Sequence, residues 1–184
     1  MRSIGKISLF IVIIGCLGVL SLKVWASLLT LGEPAPNFLV ESGDDQKLSL
    51  QMVRGKVIVL FYEFRSSLGQ NHALKDVLKR FYRAQPANIR QDVFRLVVLD
   101  CSRSHWPSTL LWKKGLREHS EEEGFTIYGD WTGKMLENYQ MKPDESNFLI
   151  IDKNGIIRYA ATGKVNPGQF EKIKELLLNL VQAK

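Results

Sequence analysis

The chain predicts an α/β domain in which a central mixed sheet is flanked by helices and preceded by an N-terminal hairpin extension. Residues 57–64 form a nearly continuous apolar run broken only by Glu63, the pattern of a strand covered on both faces. Directly after it, Leu74, Val77, Leu78, Phe81 and Tyr82 recur at helical spacing, with Lys75, Lys79, Arg80 and Arg83 on the other face. Near the C-terminus, Phe148-Leu149-Ile150-Ile151 and Ile156-Ile157-Arg158-Tyr159 flank Asp152-Lys153-Asn154-Gly155, the signature of a β-hairpin whose Asn-Gly supplies a primed turn. A last helix follows, with Asn166 as cap, Pro167 in the first turn, Gln169 completing a capping box, and Phe170, Ile173, Leu177, Leu180 and Val181 as its buried stripe.

Between these landmarks the remaining elements are weaker. Leu39 and Val40, then Leu48 and Leu50, bracket the polar turn Gly43-Asp44-Asp45 as a short hairpin. Residues 93–99 are a second apolar strand ending in Asp100-Cys101. A helix is expected within residues 104–124, on Leu110, Leu111 and Leu116, and a short strand over 125–128. Asp130-Trp131-Thr132-Gly133 is a turn, and residues 135–139 are a helical piece.

The 184 residues divide into a targeting segment at 1–26 and one domain at 27–184, a length that can bury a sizeable core. Arg2 and Lys6 precede an uncharged run over residues 7–22, followed by Lys23 and Val24-Trp25-Ala26. Cleavage after Ala26 would release a mature chain beginning near Ser27. Alternatively, the run extended to Ala26 is a signal anchor holding the domain at the inner membrane, with Lys23 snorkelling. Cleavage is preferred, because the uninterrupted run is short for a span. Either way Arg2 and Lys6 keep the N-terminus cytoplasmic and the domain is exported, which predicts a periplasmic location. Cys16 makes a loose lipoprotein match, ranked last because apolar residues follow it where a polar tether is expected.

Charge excludes one class of partner. The net +6 falls to +3 when Arg2, Lys6 and Lys23 are discounted, leaving 22 basic against 19 acidic residues. With no basic run interleaved with stacking aromatics, nucleic acid is not an expected partner. His72, His105 and His119 lack metal-ligand spacing, so neither a metal nor a cofactor is expected.

The junction of the first core strand and its helix is the candidate site. Unpaired N–H groups at such a helix start stabilise anions, and a thiol oxidoreductase uses the place to lower a cysteine pKa. Here the residues are Ser67-Leu68-Gly69-Gln70. Ser-x-x-Gln is the spacing of a capping box, with Ser67 accepting from the Gln70 amide and the Gln70 side chain reaching back. The competing reading gives Ser67 a binding or catalytic hydroxyl. Glu63, inside an apolar strand, must pair, and Arg65 or Lys56 is available. Cys101, the only thiol once a leader is removed, has no neighbouring His or resolving Cys to activate it.

The element order, with Gly32-x-x-Ala35-Pro36-x-Phe38 and Gly55-Lys56-Val57, resembles exported thioredoxin-like and redoxin domains from Gly32 to the C-terminus. The closer likeness is to the exported YtfJ-like proteins, carried by Gly55-Lys56-Val57, Arg65 with Ser66-Ser67, Asn71, Asp100, Glu145-Ser146 and Asp152-Lys153-Asn154-Gly155. The resemblance implies a thioredoxin-like fold. It also marks a departure: both positions of the Cys-x-x-Cys are lost, Asp144-Glu145-Ser146-Asn147 stands where a redox thioredoxin has its cis-proline, Pro143 comes too early, and the peroxidatic Pro-x-x-x-Thr-x-x-Cys is absent. The expectation is a binding module of the cell envelope without the redox pair, taking a peptide, partner protein or small ligand in a cleft formed by Arg65, Ser66, Ser67, Gln70, Asn71, Asp100, Cys101, Glu145 and Ser146. The alternative is an oxidoreductase or peroxidase-like protein working through Cys101.

Overall fold

The N-terminal hairpin forms from β1 (Leu39–Ser42) and β2 (Lys47–Ser49), in antiparallel register with Val40 opposite Leu48. Its turn is held by the Ser42 hydroxyl, which accepts from the amides of Asp44 and Gln46, while Asp45 takes a left-handed φ of 62°. This computed structural model describes residues 31–183, so the leader or anchor expected at residues 1–26 lies outside the described residues.

The chain then enters β3 (Val57–Glu63), every residue of which is buried. After a loop come α1 (His72–Ala84), the short α2 (Ala87–Gln91), β4 (Val93–Asp100), α3 (Ser108–Glu123), β5 (Ile127–Asp130) and α4 (Lys134–Asn138). The hairpin β6 (Asn147–Ile151) and β7 (Ile157–Thr162) and the helix α5 (Phe170–Gln182) close the domain. The seven strands form one sheet in the order β2-β1-β5-β4-β3-β6-β7. β3, β4 and β5 run parallel, and β1, β6 and β7 are antiparallel to their neighbours. The mixed sheet flanked by helices is therefore as expected, with the hairpin extension joined to the β5 edge.

Each face of the sheet has its own core. Ile58, Leu60 and Tyr62 of β3 pack with Leu96, Val98, Leu149, Met135 and Tyr139 on one face. Val57, Val59 and Phe61 face the other way, toward Leu74 and Leu78 of α1 and Ile173, Leu177 and Val181 of α5. Phe61 stacks on Phe148 with ring centroids 4.7 Å apart. This alternation along a strand covered on both faces explains why the sequence is apolar without a two-residue period.

Several local expectations are corrected. The helix expected within residues 104–124 is α3, which begins after Pro107, but the short α2, with too few apolar residues to announce itself, was not expected. β5 starts two residues later than expected, so Asp130 ends a strand instead of opening a turn. In the turn between β6 and β7 only Gly155 has positive φ, at 83°, so it is not the primed type. The Gly155 amide bonds the Asp152 carbonyl, and the Asp152 carboxylate accepts from the amides of Asn154 and Ile156 and from Arg158. An aspartate that collects these donors fixes the turn without a left-handed asparagine. Asn166 does cap the C-terminal segment, accepting from Gly168, but through a 3-10 turn; Gln169 bonds the Tyr159 hydroxyl and completes no box.

Candidate functional site

Three parallel strands end side by side in carboxylates: Glu63 on β3, Asp100 on β4 and Asp130 on β5. Their surroundings differ. Glu63, with no exposed surface, pairs with the Lys75 ammonium and accepts from the Ser146 hydroxyl at 3.2 Å. Burial lifts its carboxyl above the ordinary glutamate value, and Lys75 and Ser146 pull against that rise. The partner expected from the sequence was Arg65 or Lys56. Lys75 displaces both because Glu63 turns toward the face on which α1 lies, and Lys75, one residue from the buried Leu74, lies over the Phe61 ring at 5.3 Å. Arg65 instead points to solvent and makes no salt bridge among the described residues.

The loop between β3 and α1 does not form the expected capping box. α1 begins only at His72, and the Ser67 hydroxyl turns backward, accepting from the Phe64 amide at 2.9 Å and donating to the Phe64 carbonyl at 3.2 Å. Ser67 thus stitches a turn closed five residues before the helix, and it is fully buried. Gln70 reaches across to the other loop: its amide donates to Glu145 at 2.7 Å and its carbonyl accepts from the Ser146 amide at 2.8 Å. Beside it, Asn71 donates to the Ser146 hydroxyl and the Gly163 carbonyl and accepts from the Val165 amide, all at 2.9 Å.

These bonds correct the expected cleft. The segments containing Gln70, Asn71, Glu145 and Ser146 are hydrogen-bonded to each other, and Ser67, Asn71 and Ser146 are at most 2% exposed. The gap between the loops is closed by a polar latch. On the loop after β3, Arg65, Ser66, Leu68 and Gly69 remain open to solvent, and on the facing loop Lys142, Pro143 and Asp144 do. The position opposite Ser67 carries no cis-proline: the peptide before Pro143 is trans, and the one cis bond among the described residues precedes Pro107.

Asp100 and Asp130 belong to a second cluster on the other sheet face. Asp130 accepts from the amides of Thr132, Met135 and Leu136 and from the Tyr62 hydroxyl at 3.2 Å, tying β3 and α4 to the end of β5. Asp100 accepts from the amide and hydroxyl of Ser102. Cys101 follows it but faces α3, packed with Leu99, Leu116 and Ile127 at 1% exposure. Burial, with the nearby charges of Asp100 and Asp130, pushes its thiol up to about 12. Ser67 and Cys101 share the sheet's C-terminal edge, yet each is buried in its own surroundings. Among the described residues no group of three His, Cys, Asp or Glu side chains is arranged to hold a metal.

The parallel β3-β4-β5 core, the antiparallel β6-β7 hairpin and helices on both faces decide the architecture. The fold is thioredoxin-like. Solved structures of this kind overlay most of the domain. BsSco, a member of the Sco family of cytochrome c oxidase assembly proteins in which a disulfide switch was identified, matches at a TM-score of 0.60 and 15% identity, over 84% of this chain and 96% of that one. The exposed lipoprotein thioredoxin Etrx1 of Streptococcus pneumoniae matches at 0.54 and 19%, over 79% and 100%. A thiol peroxidase of Chromobacterium violaceum matches at 0.55 and 13%, over 83% and 88%. No protein-family model matches the chain, and no curated protein sequence does. The domain thus shares its architecture with these proteins.

Two contributors were missed from sequence. Lys75 was assigned to the solvent face of its helix, although a buried Glu63 demanded a cation nearby. Asp130 gave no signal until the strand end was located, since the tertiary partner Tyr62 is 68 residues away.

Proposed function

We propose that this chain is an exported thioredoxin-fold binding module that performs no thiol chemistry, of the kind its motifs resemble in the YtfJ-like proteins. The observation that carries this reading is the state of Cys101. A thiol that is 1% exposed and pushed up to about 12 is neither accessible nor ionised near neutral pH, and the place where the fold activates a cysteine holds a buried serine engaged with its own backbone. The latch between Gln70-Asn71 and Glu145-Ser146 makes that edge a rigid platform instead of a cleft.

The partner-binding surface lies over this platform. Arg65, Ser66 and Leu68 leave the end of β3, and Trp106, Leu110 and Leu111 follow the end of β4, so both groups rise from the C-terminal edge of the sheet where open α/β folds receive ligands. Trp106 is 82% exposed and Leu111 73%, an apolar display beside the arginine that suits a peptide or a protein of the envelope. The charge pattern of residues 1–26 supports export, by cleavage or as an inner-membrane anchor. Among the described residues no helix is long and apolar enough to cross a membrane.

The test compares envelope proteins recovered on the wild-type domain with those recovered on Arg65→Ala and Trp106→Ala, two exposed positions whose loss leaves the fold intact. The proposal expects a specific partner that both substitutions release. Recovery unchanged by either, with a mixed disulfide trapped at Cys101, would contradict it.

A further inference from the structure

The helical cover of the β3-β4-β5 face is incomplete. α1 and α5 pack on one side and α3 on the other, and between them lies a cavity of about 320 Å³ whose floor is the central strand β4 with Val97 and Leu99 and its neighbour Ile127. Val97 is only half-buried although its strand is the middle one of seven. Phe81 and Tyr82 stay half-exposed for the same reason: the helical stripe they belong to overhangs the cavity instead of meeting a helix.

The charges around this space are unequal in a specific way. Two ion pairs line it, Lys75 with Glu63 and Lys79 with Glu123, and His72 and His119 lie against the carboxylates of Asp76 and Glu122. Arg95 is left over. It projects from β4, in register with Val59, onto this face, and among the described residues its side chain makes no salt bridge and no hydrogen bond. Instead the Tyr82 and Phe125 rings flank its guanidinium at 4.8 and 4.4 Å. The rings offer no oxygen, so the N–H groups of the guanidinium, which suit an oxyanion, have no protein acceptor among the described residues. Glu123, the carboxylate that feels Arg95, is already held by Lys79 at 2.8 Å.

An apolar trough in which the Arg95 guanidinium meets no protein carboxylate suits an occupant with an apolar body and one negative charge. We propose that the trough between α1 and α3 binds a small amphiphilic carboxylate, its chain lying on Val97, Leu99 and Ile127 and its headgroup on the Arg95 guanidinium. The volume, about 320 Å³, sits at the lower end of the ~300–1,000 Å³ typical of small-ligand sites. The trough reaches the strand-end platform at Glu63 and Leu68, but Arg95 lies toward the start of β4, and neither proposal depends on the other.

Calorimetric titration of the full chain with decanoate and with 1-decanol, both below their aggregation limits, tests it. The proposal expects decanoate to bind at least tenfold more tightly than decanol. Arg95→Gln removes that preference while leaving decanol binding unchanged, and Arg95→Lys restores part of it. Val97→Phe, which fills the floor, abolishes both in a protein whose circular dichroism remains native; should it fail to fold, Arg95→Gln alone decides. Equal affinity for the two probes, no binding of either, or a preference that survives Arg95→Gln would overturn the proposal. So would a dimer that decanoate does not displace and Val97→Phe dissociates, since the occupant would then be a second copy of this chain.

Discussion

At the residue scale, Glu63 shows how a single buried carboxylate writes its environment into the pH dependence of the fold. Its native carboxyl holds a proton to higher pH than the unfolded chain does, so its titration subtracts stability as pH climbs above the ordinary glutamate value of about 4.3. Below that value both states are protonated and the group contributes nothing. Glu63→Gln should therefore flatten the fall in urea midpoint as pH rises above that value; a slope unchanged by the substitution would mean that Lys75 cancels the cost of burial. Ser67 gives a second residue-level test. As a helix cap it would tolerate Ser67→Asp. With its hydroxyl donating to the Phe64 carbonyl in a fully buried site, a carboxylate meets an oxygen it cannot bond. Ser67→Ala should cost about 1–2 kcal/mol and Ser67→Asp about 3–5 kcal/mol in denaturant titrations, the reverse of capping behaviour. Cys101 should resist alkylation in the native protein at pH 8 and react fully in denaturant, at a rate set by unfolding.

At the scale of elements, the polar latch joins the start of α1 to the approach of β6 and the exit of β7. Asn71 bonds the Gly163 carbonyl and the Val165 amide and shares the Ser146 hydroxyl with Glu63, so Asn71→Ala strands two groups and should lower stability by about 2–3 kcal/mol, measurable as a shift of the urea midpoint with unchanged m-value. Little of this latch was legible in the sequence. The strands and helices were, because β3 and α5 carry their periodicity in neighbouring residues and the apolar run of β3 announces burial on both faces. Gln70 could not be distinguished from a capping residue, since its true partners are 75 and 76 residues away. The spacing Ser67-x-x-Gln70 satisfied a local rule that tertiary contacts overrode. Asn154-Gly155 failed for a similar reason, with the Asp152 carboxylate supplying through hydrogen bonds what the dipeptide was expected to supply through φ.

At the scale of the whole molecule, the thioredoxin-like fold places its ligand-receiving edge where three parallel strands end, and this chain has filled that edge with buried oxygen and amide groups. Glu63, Ser67, Asn71, Ser146 and Asp130 are each at most 2% exposed and each hydrogen-bonded or paired, and no buried side-chain polar atom lacks a partner among the described residues. A fully satisfied network of this kind specifies shape and offers no free nucleophile or base. Exposed around it are Arg65, Leu68, Trp106, Leu110 and Leu111, the groups proposed to meet the partner. The central claim, that this fold serves binding here without thiol chemistry, is tested most directly by reduction of insulin's disulfides and of hydrogen peroxide, with dithiothreitol as reductant, by the wild type and by Cys101→Ser. The account predicts rates equal to those without protein for both forms; turnover by the wild type that disappears in Cys101→Ser would contradict it.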